Sequence, residues 1–291
     1  MITPEDERAR PISGPRFADA VTFAWGDPGA ELHGLARLGL GAEASALAVL
    51  FAGREPVGAL ARGRAEAPAG ADFADLALPG LTTTVRTPLR AWTVSFDGGA
   101  AAGFALEFEA LGAPVEIDPA EPLARVGGMS GYEQLCRVQG TVRAGGAEHA
   151  VHCLGQRSRA WGEPDWERME ATRTLSAWLD DGTGLSVAAV RPAGARAHDE
   201  EVHWGAVLDP AGSLHVDEPR LSTTYDGDGR QRRAGLELWI EEADGAPRRA
   251  AGEVVCGSTL DLGELRLDAA VFRWHVDGRR GVGRYDILRC A

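Results

Sequence analysis

Lysine and asparagine are missing from all 291 residues. Without lysine there is no side-chain Schiff base, no pyridoxal attachment and no Walker lysine. Without asparagine there is no glycosylation sequon. The 30 basic residues are therefore all arginine, a bias that fits a GC-rich coding sequence.

Cysteine is also scarce. Cys136, Cys153, Cys256 and Cys290 show no CxxC or CxxH spacing, which argues against a zinc site or a thioredoxin-type redox pair. Cys136 and Cys153 flank the turn expected at Gly145 and Gly146 and could approach across a hairpin, but in a reducing cytoplasm free thiols are the expected state.

Long apolar runs are absent as well. No segment reaches eighteen consecutive apolar residues, and MITPEDERARPISGPRFADA at the start carries charges where a signal peptide needs an apolar run. The expectation is a soluble, cytoplasmic protein with no membrane span. A net charge of -13 argues against nucleic acid or an anionic membrane as partner, because both would be repelled. The Arg232–Arg233 and Arg248–Arg249 pairs flank expected strands and read as solvated strand ends.

What the chain does contain is a globular share of hydrophobic residues, 44%, arranged with the period of β-strands. AVTFAW alternates with Val21, Phe23 and Trp25 on one side. His33 to Leu40 and Ser45 to Gly53 read as further strands. Between them GLGAEA fits the dinucleotide fingerprint GxGxxA, but the ALAVLFAGREP that follows is too short and broken for the helix a true fingerprint opens. Ala65 to Ala71 reads as a surface loop.

TTTVRTPLRAWTVSF, from Thr82 to Phe96, reads as two strands or one with a break at Pro88. Gly98 and Gly99 then turn the chain into Phe104 to Ala110. Residues 112 to 130 form the best candidate for a long connection. Tyr132 to Arg143 and Ala147 to Leu154 are expected as a hairpin around AGG, and DDGTG is the strongest later hairpin signal. Strands continue to Leu288, with no convincing amphipathic helix, so the class is all-β.

One stretch stands apart. GQRSRAWGEPDW, from Gly155 to Trp166, is too polar and too aromatic for simple alternation. Asp165 is the first catalytic candidate, because a carboxyl beside Trp in an apolar barrel has its pKa raised by desolvation, as a proton donor to an alkene requires. A nearby Arg157 would oppose that shift. Glu133 is the second candidate, on a strand leading into the stretch, with its opposite-face neighbours Tyr132 and Gln134 able to orient a ligand hydroxyl.

His203, between Glu201 and Trp204, could act as a general base if it faced inward. The alternation of Val202, Trp204, Ala206 and Leu208 places Trp204 on the apolar face and His203 off it. His149 and His152 fall on opposite strand faces, and His198 and His203 lack the HExxH arrangement, so no metal is expected. No GxSxG elbow supports a hydrolase triad.

The strings YEQLCRVQGTVRAGG and GQRSRAWGEPDW, with FAWGDPGAELHGLARLGL upstream and GVGRYDIL at the end, resemble the bacterial relatives of carotenoid 1,2-hydratase (hydroxyneurosporene synthase). These are AttH-like, double-lipocalin proteins. The resemblance covers nearly the whole chain and implies two lipocalin-like β-barrel domains in tandem, with a small hydrophobic ligand. In that family the middle motif tends to read G-x-R-D-H-S-W-G-x-R-D-W. Gly155, Arg157, Trp161, Gly162, Asp165 and Trp166 match it, whereas Ser158, Arg159, Ala160 and Pro164 depart.

The departures remove the Asp-His pair from the motif. The matched positions also suit a structural junction, with Trp161 and Trp166 as core anchors, Gly162 in a special backbone conformation and Arg157 paired with a buried carboxylate, Asp286 being the partner expected. As ligand-binding residues the resemblance and the patterning together nominate Tyr132, Gln134, Arg157, Trp161, Trp166, His203 and Trp204.

The resulting expectation is an N-terminal domain over residues 1–150 and a C-terminal domain over 151–291. Its function would be cofactor-independent acid–base chemistry, hydrating, isomerising or cyclising an isoprenoid-like or other lipophilic metabolite. The alternative is a carrier that binds a hydrophobic molecule without chemistry. A carbohydrate-active sandwich using two carboxylates is a third reading, with no pair positioned by sequence.

Overall fold

The computed structural model describes residues 1–196, 200–240 and 246–291, so His198, and Glu241 at the end of the strand that the sequence pattern places over Leu236 to Glu241, lie outside the described residues. The chain divides into two compact units, one of residues 1–116 and 129–164, the other of 117–128 and 165–291. The division thus falls after Pro164, whereas a boundary at 150 would cut a continuous strand.

The first unit begins with a 3-10 turn, Pro4–Glu7. Strands β1 (Ala18–Asp27), β2 (Leu32–Gly41), β3 (Ala44–Ala52) and β4 (Glu55–Ala65) follow as a meander. After them come β5 (Asp75–Leu78), β6 (Leu81–Thr87), β7 (Ala91–Asp97) and β8 (Ala102–Ala110), then the short β9 (Val115–Ile117). Two 16-residue strands, β10 (Met129–Ala144) and β11 (Ala147–Gly162), complete the sheet.

The strand order is β4-β3-β2-β1-β11-β10-β8-β7-β6-β5, antiparallel throughout, with β9 beside β10. The join of β1 to β11 brings the start and end of the unit together. The sheet curls back on itself: a Cβ placed on Gly58 of β4 would lie 2.7 Å from Ala102 at the head of β8.

Why these segments pair is plain in their side chains. Val21, Phe23 and Trp25 do point into the core, where Phe23 meets Phe108 edge-on at 5.0 Å and Trp25 meets Phe104 at 6.0 Å. The turn between β10 and β11 is Gly145-Gly146, both at positive φ, as a two-residue hairpin requires. GLGAEA is no nucleotide loop, because it forms the end of β2, a tight turn and the start of β3, with no helix after it. Thr82 to Phe96 resolves into two strands, with Leu89 at φ 58 in the turn.

The second unit repeats the plan. Its strands are β12 (Met169–Leu179), β13 (Gly184–Pro192), β14 (Val202–Leu208), β15 (Leu214–His215), β16 (Glu218–Tyr225), β17 (Gln231–Trp239), β18 (Arg248–Asp261), β19 (Leu265–Val276) and β20 (Arg279–Cys290). They order as β15-β14-β13-β12-β20-β19-β18-β17-β16, so again a first strand pairs with the last. The fold is therefore two curled antiparallel sheets in tandem, lipocalin-like, as expected.

The expected long connection supplies the one α-helix among the described residues, α1 (Pro122–Gly127), which packs against β13 and β14. No helix among the described residues is long and apolar enough to cross a membrane. Cys136, Cys153, Cys256 and Cys290 are free thiols.

Candidate functional site

Residues 155–162 are a strand after all, continuing β11. Two facts explain their odd composition. The odd positions Arg157, Arg159 and Trp161 fall on the same face as Val151, which points into the core, and two of them are arginines. Pairing with β10 and β1 on both sides keeps the strand regular despite that polarity. It ends at Gly162, φ 148, and the Pro164 beyond.

The interior of the first unit is occupied by its own chain. Arg157 pairs with Glu7, delivered by the N-terminal 3-10 turn, and not with Asp286, which bonds Arg284 beside it at 3.4 Å. Arg157 Nη1 also donates to the Tyr132 hydroxyl at 2.9 Å, and its guanidinium lies 4.4 Å over the Trp92 ring. Glu7 further accepts from the Leu89 amide at 3.0 Å and from Trp92 Nε1 at 3.4 Å.

Arg159 is tied to Asp19 at 2.9 Å and stacks 4.0 Å over Phe73. Burial pushes the Asp19 carboxyl up, against the pull of Arg159. Tyr132 is likewise raised by burial and opposed by Arg157. Gln134 donates to the carbonyls of Leu89 at 3.1 Å and Gly112 at 3.3 Å. Tyr132, Gln134 and Arg157 thus sit together, each bonded to the chain itself rather than turned to an open pocket.

Glu133 lies on the opposite face of β10, yet it is buried rather than a solvated strand residue. Gln156 Nε2 and Ser158 Oγ both donate to its Oε2. Asp165 is not in an apolar barrel. It is half-buried in the turn after β11, where its carboxylate accepts the Glu167 amide at 3.2 Å, outside the apolar core of either sheet. Trp161 and Trp166 are only half-buried; the Trp161 ring carries the Arg10 guanidinium at 3.8 Å. They are not fully buried anchors, because both lie at or beyond the end of the strand.

In the second unit the two faces of β14 are the reverse of the expected ones. His203 pairs in register with Ala189 and Val207 with Leu185, and these three apolar partners line the core, so His203 faces inward. Trp204 is on the other face, buried where α1 packs against β13 and β14, with its ring 6.3 Å from His215. Alternation misled because both faces of β14 are covered.

Around His203 stands a cluster that no motif announced. Arg173 on β12 pairs with Glu201, just before β14, and both are buried. Glu201 Oε2 is 3.6 Å from His203 Nε2, and its other oxygen is 3.8 Å from Arg191. Arg173 Nη1 donates to Thr223 Oγ1 at 3.1 Å and to the Tyr285 hydroxyl at 3.3 Å, and those two hydroxyls are 2.6 Å apart. Burial raises Tyr285, with Arg173 opposing it.

Apolar residues surround this set. Tyr285 meets Phe272 edge-on at 5.3 Å, Phe272 stacks on Trp274 at 5.5 Å, and Leu175, Leu221, Leu236 and Ile287 share the same core. Tyr285 lies in the string GRYDIL, where the sequence pattern singles out its neighbour Asp286. Arg173 and Thr223 are ordinary strand residues and Glu201 precedes a strand, and only the curl of the sheet joins them.

Known structures share this fold. An AttH protein from Nitrosomonas europaea aligns at a TM-score of 0.70 with 15% identity, over 99% of this chain and 96% of its own. CghA in complex with Sch210972 aligns at 0.68 with 12% identity, over 95% and 89%. Kievitone hydratase from Nectria haematococca aligns at 0.60 with 10% identity, over 94% and 88%. At these identities the likeness is one of fold, and the AttH-like architecture expected from sequence is borne out at that level. No curated protein sequence matches the chain. The family model of a domain of unknown function, DUF7064, matches residues 3–291, and the chain belongs to that family.

Proposed function

We propose that the chain is a cofactor-independent acid–base enzyme that hydrates, isomerises or cyclises a lipophilic, isoprenoid-like molecule, with its chemistry in the second unit. One contrast carries the proposal. Both units bury an arginine bonded to a tyrosine and a glutamate, Arg157–Tyr132–Glu7 and Arg173–Tyr285–Glu201. The first set is sealed by the N-terminal segment. The second adds His203 and Thr223, both only partly buried, so it is less completely enclosed and carries an imidazole, the side chain most often used for proton transfer.

In this reading Glu201 orients the His203 imidazole, and His203 moves the proton. For a hydration, His203 delivers a proton to one carbon of a double bond, water adds to the other, and the surplus proton of that water returns to His203. One π bond and one O–H bond of the water are lost, one C–H and one C–O bond form, and the enzyme is unchanged. The apolar wall of Phe272, Trp274, Leu221 and Leu236 holds the substrate body and limits competing water. The printed names of two structural neighbours, a hydratase and a protein bound to Sch210972, fit such chemistry on a small organic molecule.

The test is incubation of the purified protein with a panel of isoprenoid alkenes and polyenes in deuterium oxide, read by mass spectrometry. Deuterated product that disappears in His203→Ala supports the assignment. Tight binding with no product from any compound would leave the carrier reading in its place.

A further inference from the structure

The hydroxyl pair at Thr223 and Tyr285 constrains what kind of molecule the second unit accepts. A hydroxyl oxygen has two lone pairs and one hydrogen. Arg173 Nη1 donates to both oxygens, at 3.1 Å and 3.3 Å, and one hydroxyl hydrogen spans the 2.6 Å between them. Among the described residues, the other hydrogen has no acceptor in any hydrogen bond of these two side chains.

Which hydroxyl keeps the spare hydrogen follows from burial. Tyr285 is completely buried among Phe272, Leu175 and Ile287. A Tyr285 hydrogen turned into that apolar wall would be a buried, unmade donor, at a cost larger than the bond between the hydroxyls is worth. Tyr285 therefore donates to Thr223. Thr223 Oγ1, receiving Tyr285 and Arg173, has both lone pairs filled and must turn its own O–H away from them. Thr223 is half-buried, in register with the core residue Ala234, so its side chain stands on the inward face of β16.

We infer that Thr223, backed by Tyr285 and Arg173, is a hydrogen-bond donor site for a carbonyl or enolate oxygen on an apolar ligand. The inference rests on the function proposed above and narrows it to lipophiles that carry such an oxygen. A donor whose oxygen already accepts from a guanidinium and a phenol is polarised, and such a donor favours an acceptor gaining negative charge. A pure hydrocarbon would leave it unmatched.

Three probes with one carbon skeleton separate the possibilities: farnesal, farnesol and farnesene, measured by quenching of tryptophan fluorescence in the full chain. The absence of lysine removes side-chain imine formation by the aldehyde. The wild type is expected to bind farnesal about tenfold or more tightly than farnesene. Thr223→Val, which keeps the shape and removes the donor, should collapse that ratio toward one while farnesene binding is retained. Thr223→Ser, which restores the donor, should bring it back.

Equal affinity for the three probes, no binding of any of them, or an unchanged ratio in Thr223→Val would each overturn the inference. The deuterium experiment reports separately. Carbonyl preference without turnover of any compound sinks the enzyme reading and leaves the donor site standing, whereas turnover without carbonyl preference does the reverse.

Discussion

Arg157 donates to the Tyr132 hydroxyl at 2.9 Å from a neighbouring strand, and the second unit repeats the relationship with Arg173 and Tyr285 at 3.3 Å. In both cases the two residues are diagonal across an antiparallel pair, β10–β11 in the first unit, next to the join of β1 with β11, and β12–β20 in the second, which is itself the join of first and last strands. The join is where a curled sheet brings side chains from distant parts of the chain inward together. A buried guanidinium there needs a carboxylate, and the two units find it differently. Glu7 comes from the N-terminal turn, and Glu201 precedes a strand.

Glu7→Ala should therefore be among the most destabilising single changes in the first unit. It leaves Arg157 buried without its countercharge, a loss of about 3 to 5 kcal/mol. Urea unfolding followed by tryptophan fluorescence measures it. Replacing both partners with methionine should recover most of the loss, because the desolvation cost leaves with the charges. A Glu7→Ala protein as stable as the wild type would show that the pair does not hold the N-terminal segment in place.

The two acid–base residues should separate kinetically once a substrate is in hand. His203→Ala removes the proton carrier, and turnover should fall by roughly 100-fold to 10,000-fold. Glu201→Gln keeps the size of the side chain but weakens both the orientation of His203 and the pairing with Arg173. It should lower turnover with less effect on binding of an inert hydrocarbon. Loss of hydrocarbon binding in Glu201→Gln would instead mark a structural role.

How much of this was legible in sequence depends on the range of the interaction. Local signals read well: the Gly145-Gly146 and DDGTG hairpins, the inward Val21, Phe23 and Trp25, and the all-β class follow from near neighbours. The central stretch read badly, because alternation counts charge as exposure. Arg157 and Arg159 instead face the core, with carboxylates from Glu7 and Asp19 more than a hundred positions away. The same rule put Trp204 inside and His203 outside, since it cannot register a helix lying on the far face of β14. Thr223 and Arg173 are 50 positions apart and carry no motif, so only the closed sheet unites them.

Two buried groups titrate in the same pH range with opposite effects. Burial lowers His33 to about 4, from an ordinary 6.5. The unfolded chain then binds more protons between those values, so this group costs stability as pH falls through the window. Asp286 is raised by burial to about 6, from 3.8. The folded chain binds more protons there, so this group adds stability as pH falls from 6 toward 4. Each shift corresponds to roughly 3 kcal/mol at full extent.

The measurement is unfolding free energy against pH for each variant relative to wild type. Asp286→Asn should lose ground to the wild type on acidification through that window, and His33→Gln should gain it. Parallel curves for either variant would mean that the side chain is solvated in the folded state.

Gly281 and Gly283 stand out in the closing GVGRYDIL string for a steric reason that is independent of any chemistry. A Cβ on Gly283 would fall 1.8 Å from the Ser176 carbonyl oxygen, and one on Gly281 would fall 2.0 Å from that of Trp178. Both obstacles are backbone of β12, the partner strand, so neither can swing aside as a flexible side chain could. Gly283→Ala should force β12 and β20 apart at the join that closes the second unit, at a cost of about 3 kcal/mol or more. Tyr285 and Arg173 are carried by those same two strands, so their hydroxyl–guanidinium contact should lengthen with the join. If Thr223 works as a donor, Gly283→Ala should weaken farnesal binding more than farnesene binding at a temperature where the variant is still folded. A stable Gly283→Ala protein with wild-type affinity for both probes would show that the strands can separate without disturbing the cluster.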